Sequence, residues 1–180
     1  LTPVGVVTGP SQQRLRIMLD IPNALGNEPD PEVRAAVEAT AELCRSLGHQ
    51  VTERRAPIDG AQFGADFTLL WANGALEVVN LVRSQAPAGA PLDQLLEPLT
   101  LELAQHAQTQ GPAALVAAIA RLRAVEAQYA AMFMDMDVYL TPVLANPPVL
   151  LGQIDGSHGM VVFETLLDYV GYTPLQNVAG

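Results

Sequence analysis

The sequence predicts an α/β fold in which a mixed sheet containing a β-α-β unit packs against several long helices. A short apolar run at 14–20 is followed by a well-marked helix and a second short run at 50–55. Apolar residues recur at helical spacing through much of 61–136. Alanine supplies much of the 49% hydrophobic content and aromatic residues only 5%, a composition that favours packed helices over a β-sandwich.

The β-α-β unit has the clearest local markers. Residues 14–20 (RLRIMLD) alternate and then turn apolar, as a strand entering a sheet does. Asp30 suits a helix N-cap, Pro31 suits the first helical position, and Gly48 suits a left-handed C-terminal cap. A strand over 50–55 completes a right-handed crossover between parallel strands. The predicted apolar face of the helix consists of Val33, Ala36, Val37, Thr40, Leu43, Cys44 and Leu47.

Three further helical segments precede the last strand. Residues 61–85 have helical periodicity, and glycines at 64 and 74 indicate a close helix contact or a break. Residues 92–108 form a helix that Pro98 kinks or splits. The dipeptide Gly111-Pro112 opens a third long helix, which leads into a strand at 138. The remaining segments are predicted as an irregular leader at 1–13, a mobile polar loop at 152–160, a short helix at 161–170 and coil at 173–180.

Composition limits the function classes. The chain has 180 residues, enough for one domain or a large piece of one, and we treat 1–180 as a single partial domain. Its formal charge of −10 argues against nucleic-acid binding, which needs clustered basic residues. No apolar run reaches the roughly 18 residues of a membrane helix, so no membrane association is expected. A single cysteine, Cys44, predicts packing on the helix and fits a reducing, cytoplasmic compartment.

The chemistry-bearing residues do not form a catalytic motif. All nine basic residues are arginines, so the chain contains no lysine, and neither a Walker loop nor a G-x-G-x-x-G motif is present. The three histidines lack partners at metal-ligand spacing, so we predict no metal and no cofactor. None of the serines at 11, 46, 84 and 157 lies in a nucleophile motif. We therefore assign no catalytic residue.

The segment 137–148 (DVYLTPVLANPP) is the candidate for ligand contact. A short β-prone run ends at Pro142, which lacks a backbone donor, and further prolines keep the next residues irregular. In open α/β sheets, ligands bind beyond the carboxyl ends of the strands. We predict Tyr139, Thr141 and Asn146 as substrate-binding residues. An ordinary exit from a strand into coil is the alternative that these residues alone favour.

Four blocks of the sequence resemble the amidase-signature family of hydrolases. RLRIMLD at 14–20 resembles the strand that begins that family's later half, and residues 30–53 (DPEVRAAVEATAELCRSLGHQVTE) resemble its helix and returning strand. Residues 129–148 (YAAMFMDMDVYLTPVLANPP) resemble a passage of that family in which an aromatic residue, a phenylalanine, an aspartate, hydrophobic residues and a Thr-Pro dipeptide follow one another. TPLQNVAG at 173–180 resembles the approach to its next strand. Nylon-oligomer cyclic-dimer hydrolases and neighbouring amidases are the members with the greatest resemblance.

This resemblance implies the later portion of an amidase. The family uses a serine nucleophile, a bridging cis-serine and a lysine base, and none of these can be placed on this sequence. The resemblance therefore implies pocket walls for a small-molecule amide, with the reacting groups supplied from the N-terminal side. Such a portion leaves apolar surface uncovered, which predicts self-association. The alternatives are a non-catalytic α/β binding or scaffold module and a regulatory domain whose helices at 61–136 bind a partner.

Overall fold

The computed structural model describes residue 9 and residues 12–179. The predicted leader at 1–13 therefore lies mostly outside the described residues. Short 3₁₀ turns occur at Leu92–Gln94 and Gly156–His158. The regular elements follow in the order β1 (Arg16–Leu19), α1 (Pro31–Ser46), β2 (Gln50–Glu53), α2 (Gly60–Gln85), α3 (Pro98–Met132), β3 (Val138–Leu140), α4 (Met160–Tyr169) and α5 (Thr173–Ala179).

The sheet has the order β2-β1-β3, with β1 in the centre. Ile17 on β1 pairs with Val51 on β2 and with Val138 on β3, and both pairings are parallel. The apolar residues of β1 are buried, as expected for a central strand covered on both faces. The α/β class, the β-α-β unit and the long helices are confirmed. The three strands of the described chain are all parallel, so the antiparallel pairing implied by a mixed sheet is not found among them.

Helix α1 begins and ends as its capping residues predict. The Asp30 carboxylate accepts a hydrogen bond of 2.8 Å from the Glu32 backbone N–H, and Gly48 adopts a φ of +86°. Ala41 packs with Leu19 and Ile21 at the sheet. The predicted apolar face is too broad, because a three-stranded sheet covers only a narrow strip of this helix. Leu43 and Leu47 are 59% and 56% exposed.

Helices α2 and α3 pack against each other through small residues. Ala72 and Ala75 on α2 meet Leu103 and Ala107 on α3, with Phe163 of α4 completing the cluster. Because alanine side chains are small, they let the backbones of two helices approach closely, which explains the alanines between α2 and α3. A row of aromatic rings links the first half of α2 to α4. Neighbouring ring centroids are 5.3 to 6.0 Å apart in the order Phe63, Phe67, Trp71 and Phe163.

The prolines and glycines of α3 act as predicted. Pro98 is the first residue of the helix, so it separates α3 from the turn at Leu92–Gln94. Gly111 interrupts α3 with a φ of +76°, and Pro112 restarts the helix directly afterwards. The segment around Gly111 is therefore a break between two helical stretches, at the position that the sequence indicates.

Near the C-terminal side one prediction needs correction, and the structure adds detail to another. The sequence predicts coil over 173–180, but Thr173–Ala179 form α5. Leu175 of α5 packs against Phe63 and Leu122, so tertiary packing stabilises a helix whose local sequence is weak. The polar loop at 152–160 contains a 3₁₀ turn, in which the Asp155 carboxylate accepts a hydrogen bond of 2.9 Å from the Ser157 backbone.

Acidic residues before β3 bind arginines across the sheet, although their sequence pattern indicates only solvated side chains. Asp137 accepts hydrogen bonds from the Arg16 backbone (2.8 Å) and guanidinium (2.8 and 3.2 Å), and Asp135 binds Arg54 through two bonds. The Arg16 hydrogen bonds lower the pKa of Asp137 to about 2. The Asp137–Arg16 pair joins the starts of β1 and β3, and the Asp135–Arg54 pair joins the segment before β3 to the residue that follows β2.

Candidate substrate pocket

The residues that follow β1, β2 and β3 meet at one edge of the sheet, because parallel strands share the direction of their carboxyl ends. Asp20 follows β1 and is 3% exposed. Its Oδ2 atom accepts hydrogen bonds of 2.9 Å from the Ala56 backbone N–H and from the Tyr139 hydroxyl. Its Oδ1 atom lies 3.1 Å from Nε of Arg55, which follows β2. A buried carboxylate therefore holds the three strand ends together.

Tyr139, a predicted substrate-binding residue, uses its hydroxyl group inside the protein. Burial, together with the negative charge of Asp20, raises the pKa of Tyr139. The phenol therefore remains a hydrogen-bond donor to Asp20 throughout the neutral range. Its ring meets Tyr129 of α3 edge-on, with centroids 6.2 Å apart. This geometry supports a positioning role for Tyr139, which holds Asp20 at the edge of the sheet.

The two other predicted residues lie in different surroundings. Thr141 is half-buried and lines a small cleft of about 20 Å³ together with Asp20, Arg55 and Gln176. Asn146 is exposed on the loop beyond Pro142. The loop is fixed next to it, because Ala145 donates to the Tyr169 carbonyl (2.9 Å) and accepts from the Asp30 backbone (2.7 Å). The structure thus brings Tyr139 and Thr141 to one cleft, with Asn146 further along the same loop.

A larger cavity of about 610 Å³ lies beside this cleft, and Ala24 and Gly171 line both. Its walls come from the loop after β1, the first turns of α2, the middle of α3 and the segment joining α4 to α5. The volume lies in the range typical of sites for small organic ligands. Apolar groups form most of the wall, including Leu25, Phe63, Phe67, Leu69, Leu167 and Pro174.

Close backbone contacts fix the shape of this cavity where the loop after β1 meets the start of α2. Asn23 is buried, and its Oδ1 accepts hydrogen bonds of 3.0 Å from the backbones of Leu25 and Asn27. Gly60 opens α2 directly against this loop, where a Cβ atom would lie 1.8 Å from the Ala24 carbonyl oxygen. The loop after β1 and the start of α2 therefore form one rigid wall.

An ion pair between α2 and α3 also lines this cavity. Both oxygens of Asp66 on α2 bind the guanidinium of Arg121 on α3, with Nε to Oδ2 at 2.8 Å and Nη2 to Oδ1 at 2.6 Å. The side chain of Gln62 also donates to Oδ1 at 3.1 Å. The side chain of Asp66 is 4% exposed and that of Arg121 is 49% exposed. The hydrogen bonds to Asp66 raise the pKa of Arg121, so this guanidinium stays charged.

The sequence carries only weak indications of this cavity. Asp66 lies three residues after Phe63 and directly before Phe67, so a carboxylate interrupts an otherwise apolar helix face. Such a residue needs a buried partner. The sequence predicts His106 as a surface residue, but the structure shows it half-buried in the cavity wall. Local sequence could not reveal this position, because the other walls of the cavity come from segments distant in the chain.

Residue 9 and residues 12–179 hold no group of three or more His, Cys, Asp or Glu side chains arranged for a metal ion. Over the same residues, no helix combines the length and apolarity required to cross a bilayer.

The sequence matches the family model described as Amidase over residues 8–180. The chain therefore belongs to the amidase family. It is 35% identical over 181 residues to "Putative amidase AmiC" of Mycobacterium leprae, and equally identical to the protein of the same name from Mycobacterium tuberculosis. It is covered completely in both comparisons, but it spans only 38% and 37% of those relatives.

Solved structures show the same fold. The chain superposes on 6-aminohexanoate cyclic dimer hydrolase with a TM-score of 0.70 and 18% identity, covering 94% of this chain and 37% of that one. It superposes on a bacterial aryl acylamidase of the amidase-signature enzymes with a TM-score of 0.67 and 16% identity, covering 93% and 36%. The recognition of an amidase-signature portion from sequence blocks is confirmed.

Proposed function

We propose that this chain is the C-terminal part of an amidase that hydrolyses carbon–nitrogen bonds, and that it forms walls of the substrate pocket. The serine nucleophile and the lysine base are then supplied by the remainder of the enzyme. The main observation behind this proposal is that the chain forms a cavity of about 610 Å³ but contains no lysine. Membership of the family and coverage of 37–38% of the relatives support it.

The proposed substrate is a small-molecule amide. We propose that Thr141 and Asn146 contact it from the loop after β3, and that Tyr139 contributes by holding Asp20 at the strand ends, which its hydrogen bond to Asp20 supports. Without lysine no desolvated amine can act as a base, and the serine hydroxyls lie outside nucleophile motifs. We further propose that the enzyme is cytoplasmic, in keeping with the free thiol of Cys44, and that it does not bind nucleic acid.

The test is amide hydrolysis by the purified chain. We expect no release of amine or ammonia above the buffer background, with aliphatic and aryl amides as substrates. A matched variant in which the serines at 11, 46, 84 and 157 are replaced by alanine should be equally inactive. Hydrolysis by the chain that survives these four substitutions would overturn the proposal, because it would reveal a catalytic centre within this part.

A further inference from the structure

The charges in the wall of the large cavity cancel each other. Among its described lining residues, the side chains with a fixed charge are Asp66 and Arg121, and these two bind each other through two hydrogen bonds. The other polar side chains in the wall are neutral amides, one hydroxyl and the imidazole of His106. The cavity therefore offers apolar surface and hydrogen-bonding groups, and its described wall holds no unpaired counter-charge for an ionised ligand.

Asp66 and Arg121 differ in how far they are exposed to a ligand in the cavity. Asp66 is almost completely buried, and both of its oxygens already accept hydrogen bonds. Arg121 is half-exposed and would otherwise present a free cation to the cavity. A guanidinium with unoccupied donors binds carboxylates strongly. Asp66 thus neutralises, within the described wall, the cation that would select an anionic ligand.

We propose that this cavity binds the uncharged, apolar acyl group of the amide substrate, and that Asp66 is a specificity-determining residue that excludes carboxylates by neutralising Arg121. This inference rests on the proposed function. A carboxylate or an ammonium group in the cavity loses its hydration and finds no unpaired counter-charge in the described wall. A neutral chain buries its methylene groups at no such cost, with His106 and Gln110 in the wall to bind an amide group.

The experiment compares three probes that share a six-carbon chain: hexanamide, hexanoate and hexylamine, the last protonated at neutral pH. Each is titrated into the purified chain, and binding is followed by the backbone amide NMR signals of cavity residues such as Gly64 and Gly171. We expect hexanamide to bind at least about ten-fold more tightly than either charged probe. Equal affinities for the three probes, or no binding of hexanamide, would overturn the inference.

The variant Asp66→Asn tests the role of the carboxylate. It keeps the shape of the side chain and leaves Arg121 without a counter-charge, so the affinity for hexanoate relative to hexanamide should rise by about ten-fold. Glu77→Gln on the same helix removes the same charge at an exposed position outside the cavity, and it should leave the ratio unchanged. An unchanged ratio in folded Asp66→Asn would overturn the role given to this residue.

A second pair of variants does not depend on the ion pair. At Gly64 a Cβ atom would meet Leu25 at an ordinary 3.9 Å, so Gly64→Leu fills the cavity without a backbone clash. It should abolish hexanamide binding, whereas Gly74→Leu, which has open space on the same helix, should not. Equal binding by both variants would show that the ligand lies elsewhere. These outcomes are independent of catalysis, because failure of the proposed function would appear only in hydrolysis assays.

Discussion

Single side chains join distant parts of this chain, and Asp137 is a clear example. Its contacts with the backbone and guanidinium of Arg16 lower its pKa from 3.8 to about 2. Because the pKa in the folded state is depressed, the ionised carboxylate stabilises the fold above about pH 4, and this contribution is lost as the pH falls towards 2.

We therefore predict that Asp137→Asn lowers the stability at neutral pH and makes the acid side of the stability profile flatter between about pH 4 and pH 2. The measurement is the urea midpoint as a function of pH. Asp93→Asn, at an exposed turn, is the control and should leave the profile unchanged. A profile of Asp137→Asn that runs parallel to that of the unmodified chain would contradict the assignment.

At the residue scale, sequence reasoning works where the chemistry is local. Asp30 and Gly48 reveal the ends of α1 because a capping residue acts on neighbours in the chain. Substrate binding by Tyr139 stays a prediction, and its hydrogen bond to Asp20 joins residues 119 positions apart and has no local indication in the sequence. The pair of Asp66 and Arg121 escapes prediction for the same reason.

At the scale of elements, the start of α2 depends on one glycine. A Cβ atom at Gly60 would lie 1.8 Å from the carbonyl oxygen of Ala24, and backbone atoms cannot move away as a flexible side chain can. We predict that Gly60→Ala destabilises the protein by about 1–3 kcal/mol and shifts the loop after β1. Gly74→Ala on the same helix meets nothing within 4 Å and should stabilise by up to about 1 kcal/mol.

Chemical denaturation of the two glycine variants provides the measurement. If Gly60→Ala were as stable as Gly74→Ala, the close contact between α2 and the loop after β1 would be wrong, and with it the rigid inner wall of the cavity.

The helices also show why some features of the elements can be predicted from sequence and others cannot. The break of α3 at Gly111 is predictable, because a glycine followed by proline disfavours a continuous helix. Helix α5 is not, because its seven residues are stabilised by the contacts of Leu175 with Phe63 and Leu122. The sequence wrongly assigns the exposed side of α1 to the core. The spacing of apolar residues shows which residues could be buried, but it does not show how wide the sheet is that covers the helix.

At the scale of the whole molecule, the described chain has uncovered apolar surface. Within the described sheet, β2 and β3 each pair on one side only. Large apolar side chains are exposed on several elements, among them Leu47, Val78, Leu81, Val116, Met134 and Leu151. Unpaired strand edges and apolar patches of this kind favour association.

We predict that the purified chain self-associates, so that its mass measured by light scattering after size-exclusion chromatography rises with concentration. Addition of the complementary part of the enzyme should suppress this association by covering the same surface. A monomer at every concentration up to the millimolar range would contradict the prediction, and would favour a self-standing binding module.

The central claim is that this chain shapes a pocket for reacting groups that lie elsewhere in the enzyme. The most direct measurement is amide hydrolysis by the chain combined with the complementary portion of "Putative amidase AmiC" from Mycobacterium leprae, a relative with 35% identity. We predict turnover by the mixture or fusion and none by either part alone. A stable, folded complex without turnover, or turnover by this chain alone, would contradict the account.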